Sequence, residues 1–247
     1  MKKRLDQLLI EKILYVSRTK AQAAIMAGLV FVNGQKQTKV GSPTQEDALI
    51  EIKGEDHPFV GRGGVKLAKA LDEFKIKVQD KICLDVGSST GGFTDCMLQQ
   101  GAKLVYAVDV GYGQLDWKLR KDPRVKVFER LNARYLTAKD LGTAANEIQF
   151  CAIDVSFISL YLVLAPVYAL LAPGSEVVAL IKPQFEAKRE QVGKGGIIKD
   201  PKVHDEVVAK VKASALEIGF QIKGITSSPI EGADGNKEFL LYLVKVV

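Results

Sequence analysis

Lys81-Ile-Cys-Leu-Asp-Val-Gly-Ser-Ser-Thr-Gly-Gly-Phe-Thr94 is an apolar run that meets an acidic residue and then opens into a glycine-rich turn. Ile82, Cys83, Leu84 and Val86 supply the apolar density that a parallel strand covered on both faces needs. Gly87, Gly91 and Gly92 strip the turn of the side chains that keep a ligand off the backbone. The stretch predicts a strand, a tight turn and a helix, with a nucleotide-like ligand lying against Gly87, Ser88, Ser89, Thr90, Gly91, Gly92 and Phe93. A second apolar run, Leu104-Val-Tyr-Ala-Val-Asp109, ends in a carboxylate. It falls about twenty residues further on, where a βαβ unit sets an acid beside a ribose. The turn lacks the G-x-G-x-x-G order of a dinucleotide site, and no lysine follows in P-loop spacing. A ligand with a ribose and no pyrophosphate fits these features, and S-adenosylmethionine is such a ligand. In that reading Asp109 holds the ribose hydroxyls, Asp85 reaches the amino group, and Asn132, after the third strand, or a nearby backbone group stands at the adenine.

Further runs predict strands over 125–128, 150–154, 177–181, 220–225 and 238–246, and helices over 92–100, 116–120, 160–171 and 202–218. Alternating strands and helices, with no helix between the last two strands, define an α/β protein: a doubly wound, mainly parallel sheet with one antiparallel strand. Ligands bind such sheets outside the carboxyl ends of the strands. Asp85, Asp109, Asp154 and Lys182 all fall at such ends. Pro173-Gly174 is expected to turn the chain. Gln184 to Lys199 reads as a long polar loop carrying Lys188, Arg189 and Lys194 among Gly193, Gly195 and Gly196, able to close over RNA.

Charge is concentrated at the start of the chain. Residues 1–40 hold eight Lys and Arg against Asp6 and Glu11, an excess as large as the +6 of all 247 residues, so the remainder is neutral. Such an imbalance is the footprint of a polyanion binder. Leu5, Leu8, Leu9 and Ile13 share a helical face; Ser17 is expected to cap a second helix running from Arg18 to Ala27, and Gly28 to end it. Asn33-Gly34 between two strand-like runs predicts a hairpin. Lys53-Gly-Glu-Asp-His-Pro58 reads as a linker, dividing the chain into 1–58 and 59–247.

Cys83, Cys96 and Cys151 have no C-x-x-C spacing, and His57 and His204 have no ligating neighbours, so no metal site is expected. Buried reduced thiols suit a reducing cytoplasm. Leu160 to Pro173, the longest apolar stretch, falls short of the roughly twenty residues a bilayer demands, so no membrane partner is expected.

Two resemblances follow. S-R-T-K-A-Q-A-A-I-x-A-G-L-V-F-V-N-G over residues 17–34 resembles the RNA-binding alpha-L motif of small-ribosomal-subunit protein four. The whole chain is similar to the TlyA or haemolysin-A family, in which that module precedes a methyltransferase domain of FtsJ type. The motifs that carry this likeness are Gly61-Arg-Gly-Gly-Val-Lys-Leu67, Leu84 to Asp95, Asp109-Val-Gly-Tyr-Gly-Gln-Leu115, Asp154-Val-Ser-Phe-Ile-Ser159, Leu180-Ile-Lys-Pro-Gln-Phe185 and Lys237-Glu238-Phe. The resemblance implies a Rossmann-like S-adenosylmethionine-dependent methyltransferase sheet behind a small α+β RNA-binding domain. It implies 2'-O-methylation of cytidine ribose in ribosomal RNA, free or in ribosomal subunits. It further implies a catalytic Lys-Asp-Lys-Glu tetrad at Lys66, Asp154, Lys182 and Glu238. Arg4, Lys12, Arg18, Lys20, Lys36, Arg62, Lys188, Arg189 and Lys194 are the expected RNA contacts. A membrane-active haemolysin and a non-catalytic ribosome-assembly factor are the alternatives.

Overall fold

The computed structural model describes every residue except 1, 16, 17, 27, 53–57, 143–145, 233, 234 and 247, and all described side chains except those of 19, 20 and 23. Ser17, His57 and most of the expected linker lie outside the described residues. The chain divides into two compact units, Met1–Gly61 and Arg62–Val247.

In the first unit, β1 (Lys2–Arg4) runs into α1 (Leu5–Glu11), and α2 (Arg18–Met26) follows. β2 (Val30–Val32) and β3 (Gln35–Gln37) form the expected hairpin, while β4 (Pro43–Gln45) pairs with β1 and β5 (Ile50–Ile52) with β2. Asn33 and Gly34 both adopt positive φ, 49° and 78°, the conformation that matches a two-residue turn to the twist of its strands. Leu5, Leu9, Ala21, Ala24, Ile25 and Val30 form the core. Ile13 does not join it: α1 stops at Glu11, Ile13 takes φ 57° and is 88% exposed. The apolar spacing continues past the point where the backbone turns left-handed.

The second unit is built on seven strands: β6 (Ile82–Val86), β7 (Leu104–Val108), β8 (Val125–Phe128), β9 (Ile148–Ile153), β10 (Leu171–Ile181), β11 (Phe220–Ser227) and β12 (Phe239–Lys245). Their order is β11-β12-β10-β9-β6-β7-β8, with β12 antiparallel to both neighbours and the other described pairings parallel. From β6 the chain fills one side with β7 and β8, then crosses back to place β9 on the other. The order therefore reverses between β6 and β9, opening a crevice at their carboxyl ends. The helices α3 (Gly63–Glu73), α4 (Gly92–Gln99), α5 (Trp117–Lys121), α6 (Ala138–Leu141), α7 (Tyr161–Leu170), α8 (Pro183–Glu186) and α9 (Pro201–Ile218) complete this unit. Leu84, Val86, Ile153, Leu164, Val177, Ile181 and Leu241 belong to one apolar core. Cys83 and Cys96 are free thiols pushed up to about 12 by burial, so they remain protonated.

Two expectations need correction. Pro173-Gly174 does not end an element, because β10 begins at Leu171 and runs through it; Gly174, at φ 77°, lies within a register shift between Leu171 and Glu176. The segment 184–199 is not a free loop. It contains α8 and two single-turn 3-10 helices, Arg189–Gln191 and Lys194–Gly196. Asn236, buried on the approach to β12, accepts from Ile198 N at 2.9 Å and donates to Gly196 O at 2.9 Å. Among the described residues no helix is long and apolar enough to cross a membrane.

Candidate active site

β6 delivers the chain to Gly87 at the crevice. Gly87 N and Ser88 N both donate to Val108 O, at 2.8 and 3.1 Å, which folds the turn back over β7. Gly87 takes φ 85° and Gly91 φ 99°, so the turn lies in the region that glycine enters freely. Asp109, just past β7, accepts from Ser89 N at 2.8 Å and from Gly111 N at 2.6 Å. Its carboxylate is thereby aimed along the turn with lone pairs left over for a diol. Ser89 and Thr90 are exposed, whereas Phe93 is buried, with its ring 3.3 Å from where a Cβ on Gly63 would stand.

Asp85 is fully buried. Its Oδ2 accepts from Thr94 Oγ1 at 2.5 Å, and its Oδ1 has no partner. Burial, more than the neighbouring carboxylates of Asp154 and Asp109, pushes its pKa up to about 7. A buried carboxylate oxygen without a donor costs free energy until a cationic or donor group arrives. A primary ammonium such as that of S-adenosylmethionine is suited to it, and the bare turn leaves backbone accessible beside it. Asn132 sits differently: it is exposed, and its Oδ1 accepts from Arg134 N at 3.0 Å, capping the 3-10 helix Ala133–Tyr135.

The four tetrad residues arrive from four elements. Asp154 follows β9, and its amide donates to Val86 O at 2.9 Å. Lys182 follows β10 and Glu238 precedes β12; Ile181 and Phe239 are partners across that antiparallel pair, so the next residues out share one edge. Lys182 Nζ lies 2.5 Å from Asp154 Oδ1 and donates to Ser156 Oγ at 3.0 Å. Lys66, on α3, donates to Glu238 Oε2 at 2.5 Å, and both side chains are buried. Gly63, one turn earlier on α3, lies where a Cβ would stand 3.8 Å from Asp154 Oδ2. The tetrad is therefore gathered as two ion pairs: a buried one, Lys66–Glu238, and a more open one, Lys182–Asp154.

The sequence motif Asp154-Val-Ser-Phe-Ile-Ser159 contains three roles that spacing alone does not reveal. Ser156 holds Lys182. Phe157, at φ 62°, is 91% exposed, with its ring 4.9 Å from that of Phe185. Ser159 Oγ and Leu160 N both donate to the buried carboxylate of Glu186, each at 2.6 Å, which ties the segment before α7 to α8 and hence to Lys182.

The expected RNA residues fall on both units. In the first, Lys12 and Lys36 are exposed, Arg4 and Arg18 are held by Asp6, and the side chain of Lys20 lies outside the described residues. In the second, Lys188, Arg189 and Lys194 are exposed and Arg62 is half-buried at the start of α3.

A doubly wound sheet with a bare glycine turn after its first strand, an acid after its second and a lysine-carboxylate pair beside them defines the class of S-adenosylmethionine-dependent methyltransferases. The chain belongs to the FtsJ-like methyltransferase family, whose model matches residues 59–245, and an S4 domain matches residues 3–50. It is 54% identical over 242 residues to "Putative rRNA methyltransferase YqxC" of Bacillus subtilis, covering 98% of this chain and 85% of the relative. It is 41% identical over 241 residues to "16S/23S rRNA (cytidine-2'-O)-methyltransferase TlyA" of Mycobacterium tuberculosis, covering 97% and 89%. A solved structure described as "Putative hemolysin from Streptococcus thermophilus" is 48% identical and superposes with a TM-score of 0.78, covering 99% of this chain and 89% of that one.

Proposed function

We propose that this chain methylates the 2'-hydroxyl of cytidine in ribosomal RNA, using S-adenosylmethionine, with its N-terminal module gripping the RNA. One contact supports this reading above the others. A Cβ on Gly87 would stand 2.3 Å from Asp154 O, so the cofactor turn and the strand end that carries the Asp154–Lys182 pair touch each other. S-adenosylmethionine, when bound, supplies an electrophilic methyl group on a sulfonium. Asp85, Asp109 and the Gly87–Gly92 turn would hold it. Lys182 Nζ, held by Asp154 and Ser156, would take the proton from the ribose hydroxyl as that oxygen acquires the methyl group and the thioether S-adenosylhomocysteine is left. Lys66 and Glu238 form a second, buried ion pair, on the helix whose Gly63 faces Asp154. Phe157 presents an open ring one residue from Ser156, a face on which a nucleobase can stack.

The deciding experiment incubates the full chain with tritiated S-adenosylmethionine and ribosomal subunits and maps ribose methylation. Label at a cytidine 2'-oxygen is the expected result; no incorporation into any ribosomal RNA removes the proposal.

Two predictions test the cofactor residues. Asp109→Ala removes the acceptor that faces the ribose and also frees Ser89 N and Gly111 N. Calorimetry should show affinity for S-adenosylmethionine weakened by about ten- to a hundredfold, the loss of one or two hydrogen bonds to a charged group. For Asp85, the raised pKa sets a sign. Below about 7 the carboxyl is protonated and must lose its proton to pair with the cofactor ammonium, so affinity should rise as pH climbs to about 7. The slope should approach about tenfold per pH unit at its steepest. Asp85→Asn should flatten it, and an unchanged slope would detach Asp85 from the ammonium.

A further inference from the structure

Asp6 is the second residue of α1 and has no exposed surface, yet it is a carboxylate in the most basic part of the chain. Its Oδ1 accepts from Arg4 Nε at 3.0 Å. Its Oδ2 accepts from Arg4 Nη2 at 3.3 Å, from Arg18 Nε at 2.7 Å and from Gln22 Nε2 at 2.9 Å. Burial by itself would raise the Asp6 pKa, but the donors Arg4, Gln22 and Arg18 outweigh it and hold the carboxyl well below the usual range, so it is ionised at any working pH. The backbone is anchored as well: Leu5 N donates to Ser42 O at 3.0 Å and Asp6 N to Val40 O at 3.3 Å. Between those two residues lies Gly41, where a Cβ would stand 3.0 Å from Arg4 Nη1; the bare backbone leaves that guanidinium room to lie flat.

The charges are distributed unequally in space. The anion is hidden, while the side chains of Arg4 and Arg18 keep 49% and 52% of their surface in solvent. A free arginine side chain gives up rotamer freedom when it grips a phosphate. Here each guanidinium is already fastened by its Nε side before any ligand arrives.

We propose that Asp6 is a positioning residue for RNA: from inside the module it locks Arg4 and Arg18 into a preset fork that receives the phosphodiester backbone. The inference rests on the reading that these two arginines touch RNA. It makes a prediction whose sign opposes simple charge counting. Asp6→Asn raises the net charge of the module by one, so Coulomb attraction alone would tighten RNA binding. The preset fork requires the reverse, because an amide keeps one acceptor atom and turns its NH2 toward donors that the second carboxylate oxygen now accepts.

The test is filter binding of the full chain to radiolabelled ribosomal RNA over a salt series, with module folding followed by methyl NMR signals of Leu5 and Val30. Asp6→Asn and Asp6→Glu should each weaken binding by about tenfold, the equivalent of one charge-assisted contact, with Asp6→Glu doing so at unchanged net charge. Gln22→Leu removes one donor to the carboxylate without touching a charge and carries the test if the Asp6 variants melt the module; a loss of about threefold is expected, since a neutral donor is worth less. Wild-type or tighter binding by a folded Asp6→Asn variant, or by Gln22→Leu where that variant carries the test, overturns the proposal. If Arg4→Ala and Arg18→Ala both leave RNA affinity intact, the failure belongs to the RNA-contact reading beneath it.

Discussion

Lys182→Ala is expected to reduce methyl transfer to ribosomal RNA by about 10²- to 10⁴-fold, the usual contribution of a general base, while S-adenosylmethionine binds as before. The split follows from position. Lys182 Nζ is held by Asp154 and Ser156 beyond the end of β10, and none of the turn residues Gly87–Gly92 is hydrogen-bonded to it. Lys182→Arg sharpens the test, since a guanidinium keeps the positive charge and the pairing with Asp154 but does not give up its proton in a protein. If Lys182 works only by holding charge near the crevice, the arginine variant should retain much of the activity. If it takes the ribose proton, arginine should be nearly as inactive as alanine. Substantial turnover by Lys182→Arg would sink the base assignment. Lys66→Ala should behave differently again. It strands Glu238 as an unpaired buried carboxylate, and breaking a buried pair in this way costs about 3–5 kcal/mol. Its lost activity should therefore come with a melting temperature lowered by more than that of Lys182→Ala, since Asp154 keeps 20% of its side-chain surface in solvent against 2% for Glu238.

The difference between those two lysines was the part of the site least legible in the sequence. Residue types and strand ends identify Asp154 and Lys182 as neighbours in the crevice, because both requirements are local. Which lysine meets which acid is decided by the register of β10 on β12 and by the face of α3 turned inward, across 172 positions of chain from Lys66 to Glu238. The glycine turn was legible for the opposite reason: positive φ at Gly87 and Gly91 is a demand that only a few residue types satisfy, and it is written at the site itself. The hairpin at Asn33-Gly34 was legible in the same way. Where local signals misled, a tertiary partner supplied the missing information. The 184–199 segment is polar and glycine-rich, yet Glu186, His204 and Asn236 fasten it to α7, α9 and the approach to β12. The Pro173-Gly174 signal marks a real left-handed glycine that a bulged strand absorbs. Asn132 carries a contact that placement by strand end does not reveal, since its Oδ1 caps the 3-10 helix that follows.

Gly87→Ala is expected to abolish turnover, through loss of either the cofactor turn or the position of Lys182, although it adds a single methyl group. Two costs coincide there. At φ 85° an L side chain is strained by roughly 1–2 kcal/mol, and the new Cβ would lie 2.3 Å from Asp154 O and 2.8 Å from Asp154 C. The second cost is the larger, because the obstacle is backbone: Asp154 N is bonded to Val86 O at 2.9 Å, so the strand end cannot withdraw without breaking its ladder with β6. Either the turn lifts off, taking Ser88 and Ser89 away from Val108 and Asp109, or Asp154 moves and draws Lys182 from its place. Both outcomes disable the site from opposite sides, so activity cannot be restored by saturating cofactor. Gly142→Ala is the matched control, with φ 58° and nothing within 4 Å of its Cβ. It should cost about 1–2 kcal/mol of stability and leave transfer unchanged. Calorimetry for cofactor and single-turnover methylation would separate the two variants; a Gly87→Ala protein that both binds S-adenosylmethionine and transfers its methyl group normally would mean that the turn and Asp154 can part without loss, and the contact on which the active-site reading depends would lose its force.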